Sequence, residues 1–463
     1  MGRMSLHTIT VALVLCSFAL APANAAAADV RVALTELVRA QRAKDSGAFI
    51  AAFADVLPEA RGSHLKTALD AYGALSEALD GGREVIALHE LHRQVAALLA
   101  KAELDRDRER AIERERTKSR SFRVRVLLLD AACLRAGADR RASALEALGD
   151  KHPVVLRRAL HYLANDKRPE TVEAIVARFE KVETAESPKA KGREVFEWSR
   201  TEGAFHDALT RLLGVRLPSA LDWRNWVDAR TKEGNLFREP EERKPGRSEL
   251  SLFGADVTGK CIVFIVDVSG SMVIPDPRPQ GDDDGRGRTV VGEAGPRGLR
   301  PEEVEERRRI HRAKRELAKV VRALPEDVRF NVIAYSSEVA AWKRSTAVAT
   351  RENKEDAVRF VEALAAEGLT ATDMALEEAF LDIDIDTIYL LTDGAPTHVG
   401  SARITDETLP SDSKELMEDI IERLEVLNFL RGVRIHCLGF RGAHEEFLKR
   451  IATGHRGEYR PIP

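Results

Sequence analysis

Two hydrophobic periods divide the chain. From about Ala28 to Arg230, apolar residues recur every third and fourth position among alanine, leucine, arginine and glutamate, the spacing of amphipathic helices. Breaks fall at Pro58, Gly81-Gly82, Pro153, Pro169 and Pro188. The pattern predicts helices over Ser143–Gly149, Pro153–Ala164 and Pro169–Val182. Leu145, Leu148, Val154, Leu156, Leu160, Leu163, Val172, Ile175, Val176 and Phe179 fall on their buried faces. Further on, short runs rich in β-branched residues alternate with helical stretches, as in α/β folds. Strands are predicted at Lys260–Val266, Arg329–Ser336, Val339–Lys343, Thr387–Thr392 and Arg434–Phe440. Helices are predicted at Glu302–Ala323, Lys354–Ala366, Asp373–Leu381, Ser413–Leu430 and Glu445–Ala452. Right-handed crossovers then build a doubly wound, mainly parallel sheet with helices on both sides. The expected fold class is α/β, preceded by an all-α domain.

Glu239–Ser248 is proline- and charge-rich and has no apolar residue, so it cannot enter a core. It marks a linker over 239–250 between a helical domain at 28–238 and an α/β domain at 251–463. Trp223 and Trp226 share one helix face and are expected to plug the end of the helical domain. The mixed-sign run Asp105–Arg120 reads as a solvated helix held by pairs four residues apart. The short helices resemble HEAT-type solenoid repeats, and a helical bundle would leave the same pattern.

One insertion interrupts the α/β half. Val273–Arg300 holds six glycines and four prolines in 28 residues, with Asp282-Asp283-Asp284 at its centre. That density defeats regular structure and predicts a long mobile loop.

Composition changes the picture in three ways. With 463 residues there is chain enough for two or three domains with substantial cores. Charged residues make up 32% but the net charge is only −3, which argues against a nucleic-acid partner. At the N-terminus, Arg3, the apolar run Ile9–Ala21 and Ala23-Asn24-Ala25 have the form of a signal peptide over residues 1–25, with a retained anchor as the competing reading. No other stretch approaches the ~20 apolar residues of a membrane span. An exported bacterial protein is expected, periplasmic, cell-surface or secreted. Cys133, Cys261 and Cys437 would remain after cleavage, an odd and widely spaced set that reads as core residues rather than a disulfide framework.

The candidate chemistry lies at strand ends. The buried-strand run Cys261–Val266 leads straight into Asp267-Val268-Ser269-Gly270-Ser271. Asp267, Ser269 and Ser271 can point into one pocket at the carboxyl end of the sheet, where α/β folds place ligands. Oxygen-only donors suit a hard divalent cation such as Mg²⁺. A second strand-like run, Thr387–Thr392, ends in Asp393-Gly394, and between the two lies Gly368-Leu369-Thr370-Ala371-Thr372-Asp373.

These three segments, in this order, resemble the metal-ion-dependent adhesion site of von Willebrand factor type A domains. The resemblance runs from about Phe253 to the C-terminus and includes Phe330–Ser336, similar to the family's second strand. It implies that Ser269, Ser271 and Thr370 ligate metal, with Asp267 and Asp393 holding it directly or through water. Thr372 is a further candidate ligand. The middle loop departs from the family's common Gly-Gly-Thr-Asn at Leu369 and Ala371. The metal implied is Mg²⁺, with Mn²⁺ or Ca²⁺ as alternatives. Neutral hydroxyl ligands leave most of the cation's charge uncompensated, so the implied partner is a protein offering an Asp or Glu carboxylate.

Catalysis is not expected. A serine nucleophile needs a base within reach, and His398 is the only histidine obviously near the pocket. Metal-assisted hydrolysis usually uses more acidic or histidine ligands than this set. The expected function is partner binding through the cation. Two alternatives stay open: an envelope assembly scaffold with a structural metal, and a metal-dependent hydrolase. The insertion after Ser271 is expected to lie over or beside the pocket, either lending an aspartate to the metal or remaining a solvated tail.

Overall fold

The computed structural model describes residues 30–60, 62–80, 84–238, 250–277, 301–399, 402–403 and 409–463. The predicted signal peptide, all but the last residue of the linker, and positions 278–300 of the insertion lie outside the described residues. Among the described residues, no helix is long and apolar enough to cross a membrane.

Among the described residues, eleven α-helices run from Val30 to Lys232. Their starts are set by local chemistry: Asp45, Asp105, Asp139 and Ser219 each accept a hydrogen bond from a first-turn backbone N–H. Pro153 and Pro169, read as breaks, open helices Pro153–Leu163 and Pro169–Lys181, where a missing N–H costs nothing. The Asp139 cap moves the expected helix Ser143–Gly149 back to Arg140–Ala147. Two apolar clusters follow one another along this half. Leu37, Phe49, Leu69, Tyr72 and Leu91 belong to the first, and Leu156, Val172, Phe179, Phe205 and Trp223 to the second. Helix Phe122–Leu134 serves both, giving Leu127 and Leu128 to one and Leu129 and Cys133 to the other. Core shared between successive neighbours is consistent with helical repeats.

Both tryptophans of the expected plug pack on the second apolar cluster, to different depths. Trp223 is fully buried and its indole N–H donates to His206 Nδ1 at 3.0 Å, whereas Trp226 is half-buried under the Arg230 guanidinium. The mixed-sign run forms helix Arg106–Lys118, but its internal ion pairs lie three residues apart, Arg108–Asp105 and Arg116–Glu113, or on adjacent residues, Arg114–Glu115. Other contacts reach neighbouring helices: Arg116 pairs with Glu146, Arg108 donates to the Leu57 carbonyl, and Asp107 accepts from the Gly62 N–H.

In the α/β half, β1 (Ser251–Leu252) and β2 (Ala255–Asp256) form a tight hairpin. The main sheet contains β3 (Cys261–Asp267), β4 (Arg329–Tyr335), β5 (Val339–Ala341), β6 (Ala347–Val348) and β7 (Thr387–Thr392). After the two-stranded ladder of β8 (His398–Val399) and β9 (Ala402–Arg403), β10 (Arg434–Gly439) and β11 (Tyr459–Pro461) complete the sheet. Its order is β11-β10-β7-β3-β4-β5, with β6 also on β4. All pairings are parallel except those of β5 and β6 with β4. The edge strands β6 and β11 and the hairpin are too short to leave a readable alternation.

Every residue of β3 is buried, and the side chains still alternate. Ile262, Phe264 and Val266 pack with Ile310, Leu317, Val321, Val358 and Val361 on one face. Cys261, Val263 and Ile265 pack with Leu376, Leu416, Ile420, Leu448 and Ile451 on the other. The sheet is thus covered on both sides, which is why the run reads as continuously apolar. The strand sequence leaves β3 toward β4, then returns to place β7 on the other side of β3. The order of winding therefore reverses between β3 and β7, and their carboxyl ends frame the crevice where such sheets bind ligands.

The helical half docks on the opposite edge. Arg200 donates to the Ile385 carbonyl at 2.6 Å, Ser199 Oγ to Asp386 Oδ2 at 2.7 Å, and Arg157 to the Leu430 carbonyl at 3.1 Å. Arg434, the first residue of β10, bonds both oxygens of Asp207 at 3.2 Å. These contacts sit at the amino ends of β7 and β10, so the carboxyl-end crevice is left clear.

Candidate metal centre

Asp267 ends β3 and is fully buried. Its two oxygens are held from different segments: Oδ1 accepts from the Ser269 N–H at 2.8 Å, and Oδ2 from the Thr392 hydroxyl at 2.7 Å. Burial pushes its carboxyl up to about 6 despite these donors. Ser269 Oγ lies 3.1 Å from Ser271 Oγ, and the Ser271 hydroxyl donates to Asp393 Oδ1 at 2.6 Å. Asp393 follows β7 directly and is buried. A continuous row of oxygens, Ser269–Ser271–Asp393, thus crosses the crevice between β3 and β7.

The middle loop is tied in by its backbone. Gly270 N–H donates to the Gly368 carbonyl at 3.0 Å, Glu367 N–H to the Val268 carbonyl at 2.8 Å, and Ala371 N–H to the Ser336 carbonyl at 2.9 Å. Gly368 has φ +81°, and a Cβ there would stand 2.8 Å from Ser337 Oγ, so the turn requires glycine. Thr370 is buried and exchanges hydrogen bonds with Thr397 at 2.9 and 3.0 Å. A Cβ built on Gly394 would lie 4.0 Å from Thr370 Oγ1, which places that hydroxyl beside Asp393. All five expected residues, Asp267, Ser269, Ser271, Thr370 and Asp393, therefore come together. Thr372 is also buried but turns its hydroxyl toward Tyr335 Oη, 3.5 Å away, from the first position of helix Thr372–Leu381. His398 lies on β8, and its side chain falls outside the described residues.

Two residues unforeseen from sequence complete the surroundings. Arg309 donates to Asp393 Oδ2 at 2.6 Å and to Asp276 Oδ1 at 3.0 Å. Burial works against its charge, but these two carboxylates outweigh it and hold the guanidinium above its ordinary value. Arg312 pairs with the other oxygen of Asp276. Asp276 belongs to the predicted insertion, and there the expectation needs correction. Gly270–Val273 forms a short 3-10 turn, Pro275 bridges to Arg308, and Asp276 is buried. The expected helix Glu302–Ala323 is consequently two, Pro301–Arg307 and Arg309–Ala323, because Arg307 and Arg309 give backbone groups to Asp276 and Ile274. Arg309 sits in the run Arg307-Arg308-Arg309, which in sequence is indistinguishable from solvated charge.

The donor set is compatible with a divalent cation. It contains only oxygen, with neutral hydroxyls from Ser269, Ser271 and Thr370 between two carboxylates. Among the described residues, no cluster of three or more His, Cys, Asp or Glu is placed to hold a metal.

Residues 262–395 match the family model of the von Willebrand factor type A domain. The α/β half of this chain is such a domain. Inter alpha-trypsin inhibitor, heavy chain 4, of Mus musculus is 29% identical over 168 residues, which cover 34% of this chain and 16% of that protein. The Homo sapiens von Willebrand factor A domain-containing protein 3A is 26% identical over 133 residues, 28% of this chain and 10% of that protein. The chain thus spans only a small part of either relative. Among solved structures, a von Willebrand factor type A protein from Catenulispora acidiphila is 19% identical, with TM-score 0.30, over 45% of this chain and 40% of that one. A PilB minor pilin from Streptococcus sanguinis is 15% identical, with TM-score 0.31, over 45% and 59%.

Proposed function

We propose that this is an exported, non-catalytic bacterial protein that binds a macromolecular partner through a divalent cation. Ser269, Ser271 and Thr370 would hold Mg²⁺, Mn²⁺ or Ca²⁺ directly, and Asp267 and Asp393 directly or through water. Once bound, the cation supplies a Lewis-acidic position open to an Asp or Glu carboxylate of a protein partner. The observation that carries this reading is the row Ser269–Ser271–Asp393 at the point where the winding of the sheet reverses, with Asp267 locked behind it by Thr392. The chain's own residues do the positioning. Thr392 and the Ser269 N–H orient Asp267, Ser271 is aimed by Asp393, and Gly368 lets the Thr370 loop approach. Docking of the helical half at the far edge leaves this face free for a partner.

A Mn²⁺ titration followed by electron paramagnetic resonance tests the site, and metal-dependent capture of envelope proteins tests its use. Ser271→Ala and Asp393→Ala should each abolish high-affinity Mn²⁺ binding and partner capture while the far-ultraviolet circular dichroism is retained. Native protein that binds no Mn²⁺ at millimolar concentration would overturn the reading.

A further inference from the structure

The interface between the two halves encloses a second cleft, of about 550 Å³, at the amino edge of the sheet. That volume is in the range of small-molecule sites. Helices Pro153–Leu163 and Glu194–Leu213 form one wall, and the turns Asn428–Gly432 and Gly454–Arg456 the other. Its charged lining is unbalanced: Arg157, Arg158, Arg211 and Arg456 face only Asp207 and Glu425.

The local ion pairs absorb only part of this excess. Arg157 is satisfied by Glu197 at 2.9 Å, and Arg158 by Asp130 at 2.6 Å. Asp207, however, serves two guanidinia, Arg434 at 3.2 Å and Arg456 at 3.6 Å. Nη2 of Arg456 donates to the Gly432 carbonyl, whereas Nη1, the atom of that 3.6 Å contact, is buried and has no acceptor within hydrogen-bond distance among the described residues. Burial, together with the neighbouring arginines, pushes Arg456 down to about 10. Arg211, at the open side, has no ion pair among the described residues. Buried N–H groups of a cation are costly to leave unmade, and an oxyanion is the acceptor that guanidinium geometry matches. Leu160, Ala204 and Phe429 supply an apolar wall beside these donors.

We propose that this cleft binds a small oxyanionic ligand, bearing phosphate or carboxylate groups, held by Arg456 from the α/β half and Arg211 from the helical half. Because its donors come from both halves, the ligand would brace their relative placement. The cleft lies at the amino end of β10, on the opposite side of the sheet's long axis from the candidate metal centre at the carboxyl ends of β3 and β7.

The test is a thermal-shift and calorimetric titration of the whole protein with inorganic phosphate and, separately, with citrate, each against sodium chloride of matched ionic strength. A saturable rise in melting temperature is expected with at least one anion. Response to phosphate alone assigns a phosphate ester, and response to citrate alone a polycarboxylate. Arg456→Met should weaken binding about tenfold or more, as expected for a lost charge-assisted bond. Arg211→Ala, at an exposed position, should weaken it severalfold with the fold intact and decides the matter if the Arg456 variant does not fold. No rise above the chloride control, or variants that titrate like the native protein, would overturn the proposal.

Discussion

Arg309 donates to one oxygen of Asp393 at 2.6 Å while Ser271 donates to the other at 2.6 Å. A guanidinium therefore already neutralises part of the charge that a cation at Ser269 and Ser271 would use. Arg309→Met would leave Asp393 buried without a counter-ion, a change that costs about 3–5 kcal/mol for a buried pair. In chelator the variant should melt well below the native protein. It should also bind Mn²⁺ about tenfold or more tightly, because a positive charge a few Å away is gone. Added Mg²⁺ should then restore more of the melting temperature to the variant than to the native protein. Unchanged affinity would mean that Arg309 does not oppose the cation.

Gly368→Ala should damage both the fold and the site. Its φ of +81° disfavours any side chain, and the new Cβ would meet Ser337 Oγ at 2.8 Å. A loss of about 1–3 kcal/mol is expected in urea unfolding, with weaker Mn²⁺ binding because the shift carries Thr370 with it. Gly394→Ala is the control. Its Cβ would lie 4.0 Å from Thr370 Oγ1, an ordinary contact, so stability should change little.

Legibility followed the physics of each element. β3 and β7 were readable because burial on both faces demands near-continuous apolar runs, and the site because strand-end polar residues break those runs abruptly. Thr370 was preferred over Thr372 by the resemblance alone, since which hydroxyl turns toward the pocket depends on where helix Thr372–Leu381 begins. Arg309 and Asp276 were illegible because an ion pair 33 residues apart has no local pattern. The docking of the halves was equally hidden. It rests on Arg157, Arg200 and Arg434, which in sequence look like any charged residue on a helix or at a strand start.

Arg200 is the residue to remove to test that docking. It donates to the Ile385 and Asp384 carbonyls at 2.6 and 3.2 Å and pairs with Glu197 at 2.5 Å. Arg200→Met strips two buried carbonyls of their donor and Glu197 of one of two arginines. The expected cost is about 3–5 kcal/mol, concentrated at the interface. Scanning calorimetry should resolve two transitions for the variant and one for the native protein. A single transition merely shifted downward would mean the helical half does not melt apart from the α/β half.

Acid should destabilise the protein through its buried histidines. His152, His206 and His455 are each held down to about 4 from the ordinary 6.5, chiefly by burial. In each ring Nδ1 accepts an N–H, from Val154, Trp223 and Asn428 respectively, so the native state needs that nitrogen unprotonated. Between pH 6.5 and 4 the unfolded chain binds these protons and the folded one does not, so stability present at pH 7 is lost as pH falls through this window. Asp267 works in the opposite direction. Raised to about 6, it takes up its proton in the folded state first. Burial also lowers His89, His161 and His436 and raises Asp386 and Glu202, so six histidines oppose three carboxyls, unfolding takes up protons near pH 5, and stability falls with a definite slope as the pH is lowered. Urea unfolding at pH 7, 6 and 5 measures that slope directly. His206→Gln, which keeps an acceptor for Trp223 but cannot be charged, should make the slope shallower; an unchanged slope would exclude His206 from the acid response.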